Sequence, residues 1–270
     1  MKIGVDLGGT NIRVGRIKQG EVVKKISEPC KAHMPENEII NQLKIMISDL
    51  MAPGVESIGI GVPSVVDVEK GIVYNVANIP SWEKVYLKTI LEEEFHLPVA
   101  VNNDCNCFAL GEYYFGTERR YKNMVCLALG TGVGAGIIID GKLYTGNNAG
   151  AGEIGCLPYL KQDYEYYCSS RFFQEYGMTG KEAYETAADT PLPLWNEIGR
   201  HIGELIKAVL FTYDPEAIIL GGSVSKAFDL FKNKMYESLN TFPYPETIEK
   251  IQIFPSHAED IPLLGASLLS

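Results

Sequence analysis

The stretch Ile3-Gly4-Val5-Asp6-Leu7-Gly8-Gly9-Thr10-Asn11-Ile12-Arg13-Val14-Gly15 places a glycine-rich turn between two strand-like runs. A second turn of this kind lies in Leu127-Ala128-Leu129-Gly130-Thr131-Gly132-Val133-Gly134-Ala135. Glycine adopts backbone angles that other residues resist, so the amides of such a turn can approach a phosphate closely. Two of these turns in one chain indicate two halves that bind one polyphosphate between them.

The sequence matches other glycine-rich phosphate-binding motifs less well. A dinucleotide fingerprint needs glycines that open a helix, whereas Ile137-Ile138-Ile139-Asp140-Gly141 reads as a strand followed by a turn. The chain contains no G-x-x-x-x-G-K-[ST] run, which disfavours the P-loop class. Two ordinary glycine-rich hairpins remain the alternative. The carboxylate of Asp6 before the first turn and the later pair Gly221-Gly222 make this alternative less attractive.

Composition narrows the possible partners. The 270 residues are 46% hydrophobic and carry a formal net charge of −10, without a basic cluster. This charge disfavours nucleic acid and anionic membranes as partners. No apolar run approaches the ~20 residues that span a bilayer. The chain starts in a strand rather than a signal peptide, and its six cysteines are scattered, several of them in apolar runs. We therefore expect a cytoplasmic protein.

The order of the predicted elements repeats. Strands are expected near 2–7, 11–17 and 21–28, a helix over 35–51, a strand over 57–62 and helices over 83–96 and 103–115. A second group of strands follows over 123–144, then helices over 168–212, a strand over 216–220 and a short closing helix from 261. The sequence therefore predicts an α/β fold of two similar halves around a central cleft. We expect a smaller domain of residues 1–115 plus 260–270 and a larger domain of residues 116–259.

Several motifs in sequence order are similar to those of one family. They are Asp6-Leu7-Gly8-Gly9-Thr10-Asn11, Gly59-Ile60-Gly61-Val62-Pro63, Asn78-Ile79-Pro80-Ser81-Trp82, Asn103-Asp104, Gly130-Thr131-Gly132, Ala151-Gly152-Glu153-Ile154-Gly155 and Asp214-Pro215-Glu216-Ala217-Ile218-Ile219-Leu220-Gly221-Gly222. Together they resemble the ROK sugar kinases, within the actin–Hsp70–hexokinase superfamily. The resemblance implies duplicated ribonuclease H-like domains, as in the actin-like ATPases, and the binding of ATP and Mg²⁺.

The resemblance also implies a role for each matching residue. Asp104 matches the catalytic base. The residues that match sugar ligands or their positions are Asn78, Asn103, Asp104, Glu153, Cys156 and Ser170. The residues that match the ATP site are Asp6, Gly8, Gly9, Thr10, Asn11, Gly130, Thr131, Gly132, Gly221 and Gly222. Asp6 is also expected to act on Mg²⁺ through water.

Three of these roles have simpler alternatives. Asp104 suits the N-cap of a helix, and Glu153 could be a solvated loop acid. For Asn78 and Trp82 the alternative is a turn beside a core aromatic residue. A carboxylate beside a sugar hydroxyl can accept its proton as the new bond forms, so the base and cap roles of Asp104 are compatible.

One segment departs from the family pattern. Many members have a histidine and a cysteine cluster that hold a structural zinc ion, and here Cys156 stands at the histidine position. Only Cys168 matches a cluster cysteine, and Ser170 stands where the family has glutamate. A tetrahedral site needs four ligands, so we expect no zinc. Four tyrosines, at 159, 164, 166 and 167, are expected to pack this segment or to replace lost sugar ligands.

The resemblance implies an ATP-dependent hexose kinase that acts on a primary hydroxyl, such as the 6-hydroxyl of glucose or of a related hexose or N-acetylhexosamine. Polyphosphate in place of ATP stays open. The main alternative is a non-catalytic sugar-binding or sugar-sensing member of the family. An actin- or Hsp70-like ATPase is a third possibility, which Asn103-Asp104 and Gly152-Glu153-Ile154-Gly155 disfavour. A homodimer is expected.

Overall fold

The structure, a computed structural model, describes residues 1–116, 121–147, 149–187, 193–258 and 260–269. The strands are β1 (Lys2–Leu7), β2 (Asn11–Lys18), β3 (Glu21–Pro29), β4 (Ser57–Val62), β5 (Val65–Asp67), β6 (Ile72–Tyr74), β7 (Lys84–Val85), β8 (Val99–Asn103), β9 (Met124–Leu129), β10 (Val133–Ile139), β11 (Lys142–Tyr144), β12 (Pro158–Tyr159), β13 (Gln162–Asp163), β14 (Ala217–Gly221) and β15 (Gln252–Pro255).

The helices alternate with these strands. They are α1 (Glu36–Ser48), α2 (Leu87–Phe95), α3 (Asp104–Gly111), α4 (Tyr164–Cys168), α5 (Arg171–Gln174), α6 (Gly180–Ala187), α7 (Pro193–Tyr213), α8 (Gly222–Ser225), α9 (Phe228–Leu239), α10 (Pro245–Lys250) and α11 (Ile261–Ala266). A π-helical turn, Glu112–Gly116, continues α3, and a 3-10 turn covers Ile154–Cys156.

The first compact unit comprises Met1–Arg120, Leu143–Ala151 and Ala258–Ser270. Its main sheet has the strand order β3-β2-β1-β4-β8. β1 pairs antiparallel with β2 and parallel with β4, which pairs parallel with β8. Every residue of β4 is buried, as expected for a central parallel strand covered on both faces.

The second compact unit comprises Tyr121–Lys142 and Gly152–His257. The sheet that contains its strands has the order β11-β10-β9-β14-β15, and only Lys142 of β11 falls within this unit. Here β9 pairs antiparallel with β10 and parallel with β14, which pairs parallel with β15. The two units therefore repeat one topology, and the predicted duplicated α/β fold is confirmed.

Several details differ from the sequence prediction. The helix expected over 103–115 ends at Gly111 and passes into the π-helical turn. The strand β15 was not predicted, because it is short and ends in a proline. The first unit also includes Leu143–Ala151, which the predicted smaller domain does not; the predicted domain boundaries stay a prediction.

The helix α11 completes the first unit. A Cβ on Gly4 would lie 2.1 Å from the carbonyl oxygen of Leu263, and a Cβ on Gly59 would lie 1.8 Å from that of Ala266. The backbone of α11 therefore lies directly against β1 and β4. Within the described part of the chain, no helix has the length and apolar character that crossing a membrane requires.

Candidate functional site

The glycine-rich turn of the first unit connects β1 to β2. Leu7 is paired with Ile12 in the ladder, and the Gly8 amide donates a hydrogen bond to the Asn11 carbonyl at 2.9 Å. A Cβ on Gly9 would lie only 2.4 Å from the Cβ of Asn78. The close approach requires glycine, and it brings the predicted sugar ligand Asn78 against the predicted phosphate turn.

Asp6 lies on β1 just before this turn and faces Arg13 across the ladder. The Arg13 Nε donates to Oδ2 of Asp6 at 2.9 Å, and Nη2 forms a second, shorter contact with the same oxygen. The carboxylate is therefore already paired with a guanidinium. A contact with Mg²⁺ through water suits this arrangement, because Mg²⁺ usually keeps several waters and uses one or two carboxylates plus substrate phosphates.

Asn103 ends β8, and Asp104 opens α3. Oδ1 of Asn103 accepts hydrogen bonds from the amides of Cys105 at 2.8 Å and Asn106 at 3.3 Å. The N-cap of α3 is therefore Asn103 rather than Asp104, which corrects the cap interpretation of Asp104. Oδ1 of Asp104 accepts from the Cys105 amide at 2.8 Å, an interaction that orients the carboxylate at the first turn of the helix.

The side chain of Asn103 is firmly held. Its Nδ2 donates to the Ser64 carbonyl at 3.2 Å, and its amide donates to Oδ1 of Asn102 at 2.8 Å. Asn102 also accepts from Nδ2 of Asn106 at 2.9 Å. Sequence reasoning missed Asn102 and Asn106. Both are polar residues in an apolar stretch, a pattern that often marks a buried hydrogen-bond network.

The carboxylates of Asp6 and Asp104 share one neighbourhood. The parallel ladder aligns Asp6 with Gly61 and Gly61 with Asn102, so the carboxyl ends of β1, β4 and β8 lie together. Burial raises the pKa of Cys107 well above its usual range, and the charges of Asp104 and then Asp6 raise it further. The first unit thus brings together its predicted catalytic and metal-associated acids.

The turn of the second unit connects β9 to β10, with Leu129 paired to Val133. The Gly130 amide donates to the Gly132 carbonyl at 2.9 Å, and the Ser170 amide donates to the Gly130 carbonyl at 2.8 Å. Gly222 has φ +85°, and a Cβ there would lie 2.3 Å from the Leu129 carbonyl oxygen. The predicted phosphate turn, Ser170 and Gly221-Gly222 are therefore neighbours.

Glu153 directly precedes the 3-10 turn of this unit, and Cys156 is the last residue of the turn. The Cys156 amide donates to the Glu153 carbonyl at 3.2 Å. Although both side chains reach solvent, desolvation raises the pKa of Glu153, and the charge of Glu165 raises it further. Desolvation, Glu153, Glu165 and Asp163 together raise the pKa of the Cys156 thiol. The thiol is therefore a neutral and weak hydrogen-bonding group.

Glu165 is a charged residue at this site that sequence reasoning did not identify. Its Oε2 accepts a hydrogen bond from the Val133 amide at 3.1 Å, and its Oε1 forms an ion pair with Nη1 of Arg171 at 2.8 Å. The short helix α4 carries Glu165. Since Val133 directly follows the turn, Glu165 fixes one end of the predicted phosphate-binding segment.

Aromatic side chains fill the segment in which the family resemblance would place a metal site. Tyr159 stacks on Tyr164 at 4.4 Å between ring centroids, and its hydroxyl lies 3.0 Å from Nδ1 of His201. His201 and Cys168 are buried. The hydroxyl of Tyr164 donates to the Glu204 carbonyl at 3.4 Å. At least two of the tyrosine hydroxyls thus bond within the protein, as the packing role requires; a role as substitute sugar ligands stays a prediction.

The described residues contain no group of three or more His, Cys, Asp or Glu side chains arranged to hold a metal ion. Cys156 is exposed, whereas Cys168 is fully buried. Burial raises the pKa of the Cys168 thiol well above its usual range, which opposes the thiolate form that zinc requires. The absence of zinc stays a prediction.

Two sheets of the same strand order, each with a glycine-rich turn between its first two strands, define a mixed α/β protein with the duplicated fold of the actin-like ATPases. The model of the ROK family matches residues 2–270. The chain belongs to the ROK family.

The chain is similar to several named proteins over most of its length. The chain is 27% identical to a glucokinase of Thermotoga maritima over 98% of this chain and 95% of the relative. It is 28% identical to a xylose repressor of Caldicellulosiruptor bescii over 96% of this chain and 74% of the relative. Among solved structures, a ROK family glucokinase of Streptomyces griseus in complex with glucose and AMPPNP matches with a TM-score of 0.88 and 27% identity, over 100% of this chain and 98% of that chain.

Proposed function

We propose that the protein is an ATP-dependent hexose kinase that phosphorylates a primary hydroxyl, at C6 of glucose or of a related hexose or N-acetylhexosamine. The observation that carries the proposal is the placement of Asp104 at the first position of α3, beside the capping residue Asn103 and in the same neighbourhood as Asp6. The similarity to glucokinases over nearly the whole chain supports it.

Asp104 is the general base in this proposal. A sugar hydroxyl is a poor nucleophile at neutral pH, and a carboxylate within hydrogen-bond reach accepts its proton as the bond to phosphorus forms. The contact between Oδ1 of Asp104 and the Cys105 amide at 2.8 Å holds the carboxylate in one orientation. Asn103, held by its cap and by Ser64, is placed to hydrogen-bond a neighbouring hydroxyl of the sugar.

The two glycine-rich turns hold the phosphates of ATP in this proposal, and Gly221-Gly222 contacts the adenosine. Phosphoryl transfer depends mainly on positioning and on the stabilisation of charge. Mg²⁺, when bound, would neutralise charge on the phosphates, and Asp6 would hold it through water. Arg13, already paired with Asp6, would hold this carboxylate in place beside the strand that leads into the turn.

The remaining sugar ligands would be Asn78, Glu153, Cys156 and Ser170. Glu153 is the strongest hydrogen-bond acceptor of this group, whereas a thiol is a weak partner and serine reaches less far than glutamate. We therefore expect weaker selection at the anomeric end of the sugar than in zinc-containing relatives. Removal of a hydrogen-bonding partner from a binding site relaxes the rejection of analogues that lack the matching group.

The second candidate is a sugar-sensing protein without turnover. The similarity to a xylose repressor supports this alternative. The acidic net charge of −10 gives no support to a DNA-binding role for this chain. Sugar binding without ADP formation would distinguish the sensor from the kinase.

A coupled ADP-release assay tests the proposal across glucose, mannose, N-acetylglucosamine and N-acetylmannosamine, with ATP or polyphosphate as donor. Calorimetric titration of the same sugars gives binding independently of turnover. ADP release that depends on one of these sugars is the expected result. Sugar binding without ADP release, at saturating ATP and Mg²⁺, would instead support the sensor. We also propose a cytoplasmic homodimer, which sedimentation analysis and cell fractionation would check.

A further inference from the structure

We propose that Glu165 and Arg171 together set the affinity of the turn Gly130–Gly132 for the phosphate chain of the donor. Glu165 is a positioning residue that fixes the turn, and Arg171 supplies the positive charge that a bound phosphate chain needs. The inference deepens the proposed kinase function and rests on it. The shared ligand chemistry is a chain of linked phosphates, whether it belongs to ATP or to inorganic polyphosphate.

The contacts of Glu165 place its carboxylate at the turn itself. Oε2 accepts from the Val133 amide at 3.1 Å, and a Cβ on Gly132 would lie 2.5 Å from the same oxygen. The side chain is only 25% exposed. Glu165 therefore holds the residue that follows the turn, while the Ser170 amide holds the Gly130 carbonyl at the start of the turn, at 2.8 Å. The segment containing α4 and α5 clamps both ends of the turn.

The negative charge of Glu165 would by itself weaken phosphate binding at the turn, and the positive charge of Arg171 offsets this effect. A carboxylate beside a phosphate-binding turn repels a polyphosphate, and like charges in close proximity weaken binding. Nη1 of Arg171 lies 2.8 Å from Oε1 of Glu165, and its side chain is half exposed. Arg171 directly follows Ser170, whose amide bonds to the turn. The guanidinium is therefore both close to the turn and accessible to an incoming phosphate, which it can bind with two parallel hydrogen bonds.

Glu165 also connects the turn to the acceptor side of the same unit. Its charge contributes to the raised pKa values of both Glu153 and Cys156. One carboxylate thus lies near the predicted sugar ligands and bonds to the predicted phosphate turn. A residue that aligns donor and acceptor is expected to lie close to both the turn and the sugar ligands. A residue that only stabilises α4 does not need to lie there.

The test compares substitutions that separate geometry from charge. Glu165→Gln keeps an oxygen that can accept from the Val133 amide but removes the negative charge, whereas Glu165→Ala removes both. Arg171→Met removes the positive charge and keeps an apolar stem. Glu237→Gln and Lys234→Met are matched controls, because these residues form an exposed ion pair on α9 in the same unit, at 2.6 Å. Calorimetry measures the Kd for AMPPNP and for tripolyphosphate, each without sugar.

We expect Arg171→Met to raise the Kd by about tenfold or more, the usual worth of one charge-assisted hydrogen bond. Glu165→Gln should lower the Kd, because Arg171 is then free of its internal partner, and Glu165→Ala should not share this gain because the turn loses its clamp. Amide exchange of Val133, measured by NMR, should accelerate in Glu165→Ala and stay near wild type in Glu165→Gln. The two control variants should match wild type.

The outcomes separate the inference from the proposed function. Wild-type protein that binds AMPPNP normally while Arg171→Met behaves as the controls do would overturn the inference alone. Equal changes of the Kd, in one direction, for Glu165→Gln and Glu165→Ala would also overturn it. Wild type that binds tripolyphosphate but not AMPPNP, with the expected pattern of variants, would overturn ATP as donor and support the inference. Wild type that binds neither probe would overturn both.

Discussion

The turns of the two units share a backbone design and differ in the origin of their charged partners. In the first unit, Asp6 and Arg13 lie on the two strands that flank the turn and face each other in the ladder. In the second unit, the acid and the arginine come from α4 and α5, and Glu165 reaches a residue 32 positions earlier in the chain. A duplicated fold thus repeats its turn without repeating the elements that supply its charges.

This difference suggests a division of labour between the units. The first unit carries the carboxylate proposed to react, together with a polar network that is mostly buried. The second unit carries the groups proposed to align the donor and the acceptor. Four predictions test this difference between the units.

The largest effect is expected from Asp104→Asn, which should lower kcat by at least ~100-fold, the usual contribution of a positioned general base. The amide oxygen can still accept from the Cys105 amide, so the fold and the binding of AMPPNP should survive. Steady-state kinetics and calorimetry check both parts. Asp140→Asn, in an exposed turn of the second unit, is the control. Nearly normal turnover of Asp104→Asn would remove this residue from the mechanism.

The two turns should differ in their tolerance of a methyl group. Gly9→Ala should destabilise by about 1–3 kcal/mol, as overpacking usually does, because the added Cβ meets the rigid Cβ of Asn78 at 2.4 Å. Gly132→Ala should cost less, under about 1 kcal/mol, because the obstacle at 2.5 Å is the end of the Glu165 side chain, which can move aside at the expense of its bond to the Val133 amide. Urea denaturation of both variants measures the difference.

A double variant provides the control for this comparison. In a Glu165→Ala background, Gly132→Ala should have no further steric cost, because its obstacle is gone. The cost of Gly9→Ala should be unchanged in the same background. If Gly132→Ala costs as much as Gly9→Ala, with or without Glu165, the second turn is as rigid as the first.

Acid should weaken the second unit through His201. Burial and then the charge of Arg200 lower the pKa of His201, while Glu197 and Glu204 oppose this shift. The unfolded chain therefore binds a proton at a higher pH than the folded chain does. The stability from neutral His201 is complete above about pH 6.5, the usual histidine value, and is lost as the pH falls below it.

Thermal denaturation from pH 8 to pH 5 measures this effect, expected to be on the order of a few degrees. His201→Phe should fit the aromatic cluster and reduce the acid-side loss. His33→Gln, at an exposed site of the first unit, should leave the loss unchanged. An identical pH dependence in wild type and His201→Phe would contradict the assignment.

The smallest expected effect is that of a chelator. Treatment with EDTA should leave the melting temperature unchanged, and elemental analysis should find no stoichiometric zinc. The stacked rings of Tyr159 and Tyr164 and the bond to His201 hold the segment that a metal would otherwise organise, and structural zinc contributes folding free energy directly. About one zinc per chain would show that this packing does not replace the metal.

Local patterns made much of the fold predictable. The repeated order of strands and helices follows from runs of apolar residues, and both turns follow from their glycines. β15 has only four residues and ends in Pro255, so its sequence carries no strand pattern of its own. It exists because β14 offers a free edge for a parallel partner.

For the candidate site, the sequence could indicate only residues that lie within a recognisable local motif. Asn103 and Asp104 are both good helix caps, so sequence could not decide which one caps α3. Glu165 could not be assigned to the turn, because its contact depends on tertiary folding rather than on spacing. His201 has a weaker sequence signal, because it lies between Ile198 and Ile202 on the buried face of α7.

The position of α11 has a consequence for protein synthesis. Its backbone lies against β1 and β4, yet the ribosome makes α11 only after the whole second unit. The surface of the first sheet that α11 covers therefore stays exposed during synthesis until more than a hundred further residues have been added. Chaperones that bind exposed apolar surface have the most time to bind the chain during this interval. A truncation that removes α11 should therefore yield a first unit that stays bound to chaperones rather than folding.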